Sequence, residues 1–118
     1  MDAILTFLHD TKKNTTEADK LLYKYPERVP VIVSRNKNSK NTPELDKYKY
    51  LVPSDLTIGQ FLYVIRKRLN LSPATAMFLF IDNNVVCNTS IISQIYAECR
   101  DKNDGFLHAV YSCENTFG

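Results

Sequence analysis

The stretch TIGQFLYVIRKRL, Thr57 to Leu69, carries the clearest structural signal in the sequence. Its apolar residues recur at the spacing of one face of an α-helix; they are Ile58, Phe61, Leu62, Ile65 and Leu69. Thr57 and Gln60 have the spacing of a capping box, so the helix is expected to begin there. The basic run Arg66 to Arg68 lies near its C-terminal end, where cations complement the helix dipole. The stretch therefore predicts an amphipathic helix with one buried face.

Two strand candidates precede this helix. Arg28 to Ser34 is rich in β-branched residues, which favour strands. Pro30 lies within it and cannot donate a ladder hydrogen bond, so this strand needs an unpaired side or a bulge there. The polar segment 35–46 predicts a connecting loop, and Tyr48 to Val52 predicts a short second strand. The simplest arrangement is a hairpin-like pair, with the first strand running out and the second running back.

Three further elements follow the helix. Met77 to Ile81 is an unbroken apolar run and is predicted to be the central strand, covered on both faces. Ser90 is the expected N-cap of a last helix, in which Ile91, Ile92, Ile95, Tyr96 and Cys99 share one face. Phe106 to Tyr111 predicts the final strand. The turn before Val85 leaves room for a short extra strand.

Two helices are predicted ahead of the first strand, one over Asp2 to His9 and one from Thr16 to Tyr23. The order of elements then predicts an α+β fold, a ubiquitin-like β-grasp with two additional N-terminal helices. We divide this single domain into an N-terminal helical extension (residues 1–25), a β-grasp core (residues 26–112) and a flexible C-terminal tail (residues 113–118).

Composition and charge restrict the classes of protein that remain. With 118 residues, 44% of them hydrophobic, the chain suits one domain with a single core. No apolar stretch approaches the roughly 20 residues that span a bilayer, and the run Ala3 to Leu8 lacks a basic leader, so a cytoplasmic protein is expected. Residues 12–49 carry ten Lys/Arg against five Asp/Glu, a balance that suits acidic peptides or anionic lipid. Nucleic acid is not expected as a partner, because its readers show a larger excess and a recognisable motif.

Cysteines and histidines give little support to an enzyme. Cys87, Cys99 and Cys113 are odd in number and widely spaced, so we expect reduced thiols and neither a disulfide nor a metal site. His9 and His108 lie apart in the sequence, and His108 in the final strand is expected at the surface. No cysteine–histidine or paired-carboxylate arrangement indicates catalysis.

Several long motifs resemble a known family. They are KYPERVPVIV (Lys24 to Val33), YLVPSDLTIGQF (Tyr50 to Phe61), IRKR (Ile65 to Arg68) and ENTFG (Glu114 to Gly118). In this order they are similar to the autophagy-related protein 8 family, whose animal relatives include the GABA-receptor-associated protein and the microtubule-associated light chain 3 proteins. The resemblance covers about Glu17 to Gly118, and motifs of this length make it specific.

The resemblance implies a ubiquitin-like modifier that is a substrate of enzymes. Gly118 would be joined to phosphatidylethanolamine on the autophagosome membrane, with no other cofactor. A cysteine protease would expose the glycine and later remove the lipid, and activating and conjugating enzymes would carry it as thioesters, with Thr116 and Phe117 recognised beside it. A terminal glycine suits this chemistry because no side chain shields its carboxylate. The protein would be cytoplasmic, and bound to the autophagosome membrane when lipidated.

The resemblance also implies docking of cargo receptors. Their motifs carry an aromatic residue and, three positions later, an aliphatic one, with acidic residues upstream. Tyr48 to Val52 is the candidate edge strand for backbone pairing with such a peptide. The family's aromatic pocket maps onto Glu17, Leu21, Pro30, Lys49, Leu51 and Phe106. Its aliphatic pocket maps onto Tyr50, Val52, Pro53, Leu56, Phe61 and Val64. Arg28 and Arg68 would contact the acidic flank.

Each of these pocket residues has two interpretations: a residue of the hydrophobic core, or a residue that contacts the peptide. Pro53, Leu56 and Phe61 suit the core as well as a pocket wall, whereas Lys49 and Tyr50 have less reason to be buried. Two segments depart from the family: Met1 to Thr15 lacks the Pro-Phe and basic run common there, and residues 84–88 stand where relatives usually carry a proline pair. The alternative function is an unconjugated β-grasp adaptor for peptide docking or trafficking, which would not need Gly118.

Overall fold

The computed structural model describes residues 6–7, 17–39 and 41–115. The helices in these ranges are α1 (Glu17–Lys24), α2 (Ile58–Leu69) and α3 (Ile92–Cys99). The strands are β1 (Thr6–Phe7), β2 (Arg28–Arg35), β3 (Lys49–Pro53), β4 (Thr75–Ile81), β5 (Asn84–Val85) and β6 (Leu107–Asn115). Within this described part of the chain, no helix is long and apolar enough to cross a membrane.

The strands form one mixed sheet in the order β1-β3-β2-β6-β4-β5. β2 and β3 are antiparallel, β6 returns beside β2 and runs parallel to it, and β4 is antiparallel to β6. The predicted α+β, ubiquitin-like β-grasp arrangement is therefore confirmed. The β2–β6 ladder begins at Val31, one residue after Pro30, so the missing N–H of Pro30 does not interrupt it.

The predicted amphipathic helix is confirmed as α2. Its capping box is complete: the Thr57 hydroxyl accepts from the Gln60 N–H at 3.1 Å, and the Gln60 side chain accepts from the Thr57 N–H at 2.9 Å. Asn70 ends the helix in the left-handed conformation, at φ 56°. Ile58, Phe61 and Ile65 are fully buried in the core that α2 shares with the sheet. Removing each of these side chains from water stabilises the fold by about 1.5–3 kcal/mol.

β4 is covered on one face instead of two. It lies between β6 and β5, and Met77, Leu79 and Ile81 are buried while the intervening Phe78 is 37% exposed. The prediction that this run forms the central, doubly covered strand is therefore wrong. β2 and β6 hold the centre, because β6 returns between the first hairpin and β4. An apolar run of this length cannot by itself show which strands flank it.

The N-terminal extension contains one of the two predicted helices. α1 is confirmed, and its fully buried Ala18 lies against Gly105, where an added Cβ would come within 2.9 Å of the Ala18 Cβ. Thr6 and Phe7 are wrongly predicted as helix, since they form β1 and pair antiparallel with β3. Backbone pairing with an existing strand overrides a weak local helix pattern here. The rest of that predicted helix, and the Thr16 cap of α1, lie outside the described residues.

The prediction of Ser90 as the side-chain cap of α3 is also wrong. The N-cap is Ile91, and no side chain caps the helix start. Instead the N–H groups of Ile92 and Ser93 donate to the carbonyls of Leu56 and Ser54, at 2.8 and 3.2 Å. Backbone carbonyls from the segment before α2 thus satisfy the first amides of α3.

The last strand extends beyond its predicted end. β6 continues to Asn115, and its residues 113–115 pair with β4 in the register Met77↔Cys113 to Thr75↔Asn115. Cys113 is buried, and its N–H donates to the Thr42 hydroxyl at 2.8 Å. The prediction of a flexible tail from residue 113 is therefore wrong for residues 113–115, because β4 is long enough to pair with them. Residues 116–118 lie outside the described part.

The predicted loop after β2 is tied to β6 along its course. The Asn36 N–H donates to the Tyr111 carbonyl at 2.9 Å, and the Tyr111 hydroxyl donates to the Pro43 carbonyl at 2.7 Å. Thr42 is buried and hydrogen-bonds to Ser39. The described residues of this segment, 36–39 and 41–46, therefore contact the last strand as well as forming part of the connection from β2 to β3.

Candidate peptide-docking site

β3 presents its backbone to β2 at every second residue. The Val33 N–H donates to the Tyr48 carbonyl at 2.8 Å, and the Ser54 N–H donates to the Glu27 carbonyl at 2.9 Å. Backbone groups of an antiparallel strand alternate between its two sides. The groups of Lys49 and Leu51 therefore face away from β2, on the side where a peptide could pair.

This side of β3 is not the bare edge that the sequence predicts. β1 lies along it in the register Thr6↔Leu51 and Phe7↔Tyr50. The prediction of Tyr48 to Val52 as an edge strand is therefore wrong in this conformation, and β3 is second from the edge. No local pattern in the sequence signals such a short partner, because it is defined by the strand it joins.

Side chains of β3 divide the predicted pockets between the two faces of the sheet. Lys49 and Leu51 point to one face and Tyr50 and Val52 to the other, as successive residues of a strand do. Residues three positions apart in an extended peptide also point to opposite faces. The arrangement therefore suits an aromatic-x-x-aliphatic peptide, with one pocket for each of its two anchors.

The aromatic face gathers the predicted residues around a buried ion pair. Lys49 Nζ lies 3.1 Å from Glu17 Oε1 of α1 and 5.6 Å from the ring centroid of Phe106. Leu51 pairs with Pro30 of β2, and both are buried, as is Phe106. Leu21 is half-buried.

Lys49 itself is only 5% exposed, so the expectation that it has little reason to be buried is wrong. The carboxylate of Glu17 and the face of the Phe106 ring offset much of the cost of removing its charge from water. The predicted residues of the aromatic pocket therefore pack against one another here, with the Lys49 side chain among them.

The aliphatic face is continuous with the hydrophobic core. Tyr50, Val52 and Phe61 are fully buried, and the rings of Tyr50 and Phe61 meet edge to face with centroids 6.4 Å apart. The Tyr50 hydroxyl donates to the Lys47 carbonyl at 2.7 Å, and burial raises the pKa of Tyr50 to about 12. The expectation that Tyr50 is less buried is therefore wrong as well.

Pro53, Leu56 and Val64 remain half-buried and are the accessible part of the aliphatic set. Leu56 and Val64 line a surface pocket together with residues that the sequence reasoning missed: Thr57, Gly59, Gln60 and Tyr63. For Gln60, the sequence contains a usable signal: it lies four positions before Val64, and residues four apart on a helix are neighbours on its surface. This spacing places Gln60 and Val64 side by side, next to the buried stripe of α2. Tyr63 is 60% exposed at the rim.

The two arginines of the predicted acidic flank are not brought to one point. Arg28 lies opposite Pro53 in the sheet register and donates to the Leu51 carbonyl at 3.2 Å. Arg68 donates to both oxygens of Asp46, at 2.9 and 3.1 Å, ahead of the other end of β3. The hydrogen bond from Arg68 lowers the pKa of Asp46.

The cysteines differ in their surroundings. Cys113, predicted as a tail thiol, is buried in β6, and burial raises its pKa. Cys99 is half-buried against the core, as expected, and burial raises its pKa too. Cys87 is exposed, and its hydrogen bond with Thr89, at 3.1 Å, lowers its pKa. The hydroxyl of Thr89 is not a base that could activate a nucleophile.

One acidic cluster lies outside the predicted site. Asp101, Asp104 and His108 place their ligand atoms within 4.8 Å of one another. His108 is exposed as expected, and its Nε2 lies 2.7 Å from Asp104 Oδ2. Asp101 accepts from the N–H groups of Asn103 and Asp104, which lowers its pKa. These bonds shape the turn before β6.

Comparisons with known proteins show the family of this chain. The family model described as "Autophagy protein Atg8 ubiquitin like" matches residues 13–118. The chain is 50% identical to autophagy-related protein 8d of Arabidopsis thaliana, over 98% of this chain and 97% of that protein. It is 49% identical to autophagy-related protein 8 of Mycosarcoma maydis, over 93% of this chain and 92% of the other. The crystal structure of Trypanosoma brucei ATG8 superposes with a TM-score of 0.81 at 41% identity, covering 89% of each chain. The chain therefore belongs to the Atg8 family of ubiquitin-like autophagy proteins.

Proposed function

We propose that this protein is a modifier conjugated through Gly118 to phosphatidylethanolamine on autophagosomal membranes, and an adaptor that docks aromatic-x-x-aliphatic motifs of cargo receptors. On this proposal it is not an enzyme. It is a substrate of a processing and delipidating cysteine protease and of activating and conjugating enzymes. Membership of the Atg8 family and the motif ENTFG at residues 114–118 support the conjugation half of the proposal.

The observation that carries the docking half is the alternation along β3. Its outward-facing backbone groups and the two side-chain clusters on its opposite faces match what an extended peptide with anchors three residues apart requires. The half-buried Pro53, Leu56 and Val64 offer apolar contact for the aliphatic anchor. Burying one aromatic and one aliphatic side chain is worth roughly 2–3 kcal/mol each before ordering costs, so the two anchors together supply about 4–6 kcal/mol. A micromolar dissociation constant needs about 8 kcal/mol, so backbone pairing with β3 must supply the rest.

The length of β6 sets a geometric condition for conjugation. Three residues follow Asn115, where the strand ends, and fully extended they span about 10 Å. An enzyme that forms a thioester with Gly118 must therefore bring its cysteine close to the sheet, or separate the end of β6 from β4. Thr116 and Phe117 are the residues it would meet first.

A single conjugation step accounts for membrane attachment in physical terms. One acyl chain binds a membrane only marginally, with a constant of about 10⁴ M⁻¹, whereas two chains anchor stably. Phosphatidylethanolamine supplies two chains through one bond. Cleavage of that bond by a protease would return the domain to solution.

Reconstitution tests the proposal. The protein is incubated with matched activating and conjugating enzymes, ATP and phosphatidylethanolamine vesicles, and intact mass is measured. We expect the mass of one lipid to be added at Gly118. The matched variant Gly118→Ala should gain no lipid, because its methyl group hinders formation of the thioester with the activating and conjugating enzymes. Absence of the adduct with the unaltered chain would contradict conjugation. Recruitment of Gly118→Ala to membranes at the unaltered level in cells would favour the unconjugated adaptor.

A further inference from the structure

The partner of β3 at the docking side is part of the same chain. β1 is antiparallel to β3, with Thr6 opposite Leu51 and Phe7 opposite Tyr50. Since the backbone groups of Tyr50 face β2, those of Leu51 face β1. Thr6 and Leu51 therefore form the hydrogen-bonded pair of this short ladder.

These are the same groups that a docked peptide would use. A backbone N–H donates one strong hydrogen bond, so the Leu51 N–H cannot serve Thr6 and a peptide at once. The steric position is shared too, because neighbouring strands lie only about 4.8 Å apart. Occupation of this edge by β1 and by an added peptide strand is mutually exclusive.

The pairing is also short enough to be reversible. Two residues provide few backbone bonds, and a ladder of this length is marginal in water without further support. By contrast, β3 pairs with β2 over five residue pairs on its other side. Pairing with β2 therefore keeps β3 in place when β1 leaves, and the backbone groups on the other side of β3 can then pair with another strand.

We propose that Thr6–Phe7 is an internal competitor that occupies the Leu51 position of the docking edge, so that motif peptides bind only when β1 is displaced. This inference rests on the proposed docking function. The apparent dissociation constant is the intrinsic one divided by the fraction of molecules with an open edge, so an edge open for about a tenth of the time weakens binding about tenfold.

The test uses the full chain and a synthetic peptide with acidic residues ahead of a Trp-x-x-Leu motif. Its control peptide carries alanine at both anchor positions. Thr6→Pro removes the N–H that donates to Leu51, whereas the matched control Thr6→Val keeps that donor and a β-branched side chain. Calorimetry gives the affinities, and amide exchange by NMR reports protection at positions 6 and 51.

We expect Thr6→Pro to bind the peptide at least threefold more tightly than Thr6→Val, with faster amide exchange at Leu51 in the free protein. In the unaltered chain, saturation with the peptide should remove protection at Thr6. Retained protection at Thr6 in the saturated protein would overturn the proposal, as would unchanged exchange at Leu51 in Thr6→Pro. Equal peptide affinities of Thr6→Pro and Thr6→Val, despite faster amide exchange at Leu51 in Thr6→Pro, would also overturn the proposal. The role of β1 would then be to cover the edge of the sheet. If neither variant nor the unaltered chain binds the peptide while Thr6 is protected in the free protein, the docking function itself fails.

Discussion

The two faces of β3 are stabilised by different physics. On the aliphatic face, Tyr50 and Phe61 belong to the continuous hydrophobic core beneath α2. On the aromatic face, Lys49 is held by one carboxylate and one ring, from Glu17 and Phe106. One face of this strand is therefore held chiefly by apolar packing, and the other by apolar packing together with an ion pair. Loss of a core ring on the first face should cost more stability than loss of the ion pair on the second.

The largest effect is expected from Phe61→Ala. Removing this fully buried ring leaves a cavity beside Tyr50 and should lower the free energy of unfolding by about 3–5 kcal/mol. Urea denaturation measures the loss. The matched control is Tyr63→Ala on the same helix, 60% exposed, which should cost about 0.5 kcal/mol or less. Similar losses for the two variants would contradict the assignment of Phe61 to the core and of Tyr63 to the surface.

Breaking the ion pair on the aromatic face should have an intermediate effect. Lys49→Met leaves the carboxylate of Glu17 largely buried without its partner and should cost about 2–3 kcal/mol, the cost of an unsatisfied buried group. The double variant Glu17→Leu with Lys49→Met removes both charges, and apolar replacement of a buried pair is often nearly neutral. Urea denaturation of the two single variants and the double variant gives the coupling energy. Additive losses would show that Lys49 and Glu17 are not energetically coupled.

A smaller effect is expected from Tyr50→Phe, which removes the hydrogen bond to the Lys47 carbonyl and keeps the ring. The loss should be about 1 kcal/mol below pH 10. The pKa of Tyr50 is raised from 10.0 to about 12 by burial, so its neutral form is favoured in the folded protein. The stability from this shift is present below pH 10 and is lost as the pH rises through 10 towards 12.

The urea concentration at the unfolding midpoint should therefore fall more steeply with rising pH, between pH 9 and pH 12, for the unaltered chain than for Tyr50→Phe. The phenylalanine variant has no proton to lose at this position. Equal slopes for the two proteins would show that Tyr50 does not remain buried and neutral in the folded state.

The smallest effect is expected at the exposed flank. Arg68→Gln removes the hydrogen bonds to Asp46, so the pKa of Asp46 should rise towards its ordinary value. The exposed pair with Asp46 should itself contribute little to stability, because solvent screens it. A carboxyl NMR titration measures the pKa and urea denaturation the stability. A clear loss of stability would place this pair with the buried one of Lys49, and the contrast between flank and face would fail.

Helix α2 shows how much local pattern can predict. Its boundaries, capping box and buried stripe follow from the spacing of apolar residues and from Thr57 and Gln60. α1 and the hairpin strands follow in the same way from local composition. Each depends on contacts within a few positions of the chain, or on one apolar face.

The misplaced elements depend on distant partners instead. β1 exists because the backbone of Leu51 faces away from β2 and can pair with a further strand, and the end of β6 is held by β4 and Thr42. The start of α3 is satisfied by carbonyls before α2, where local reasoning expects the hydroxyl of Ser90. In each instance the stabilising group is far away in the sequence.

The sequence by itself determined the β-grasp order of elements, the amphipathic helix and the family motifs, because periodicity and caps are local properties. Only the tertiary structure decided that Lys49 is buried against Glu17, that Tyr50 belongs to the core and that β3 carries an internal partner. These facts depend on which surfaces meet. A lysine is costly to bury alone and stable beside a carboxylate, and the chain brings the two together across 32 positions.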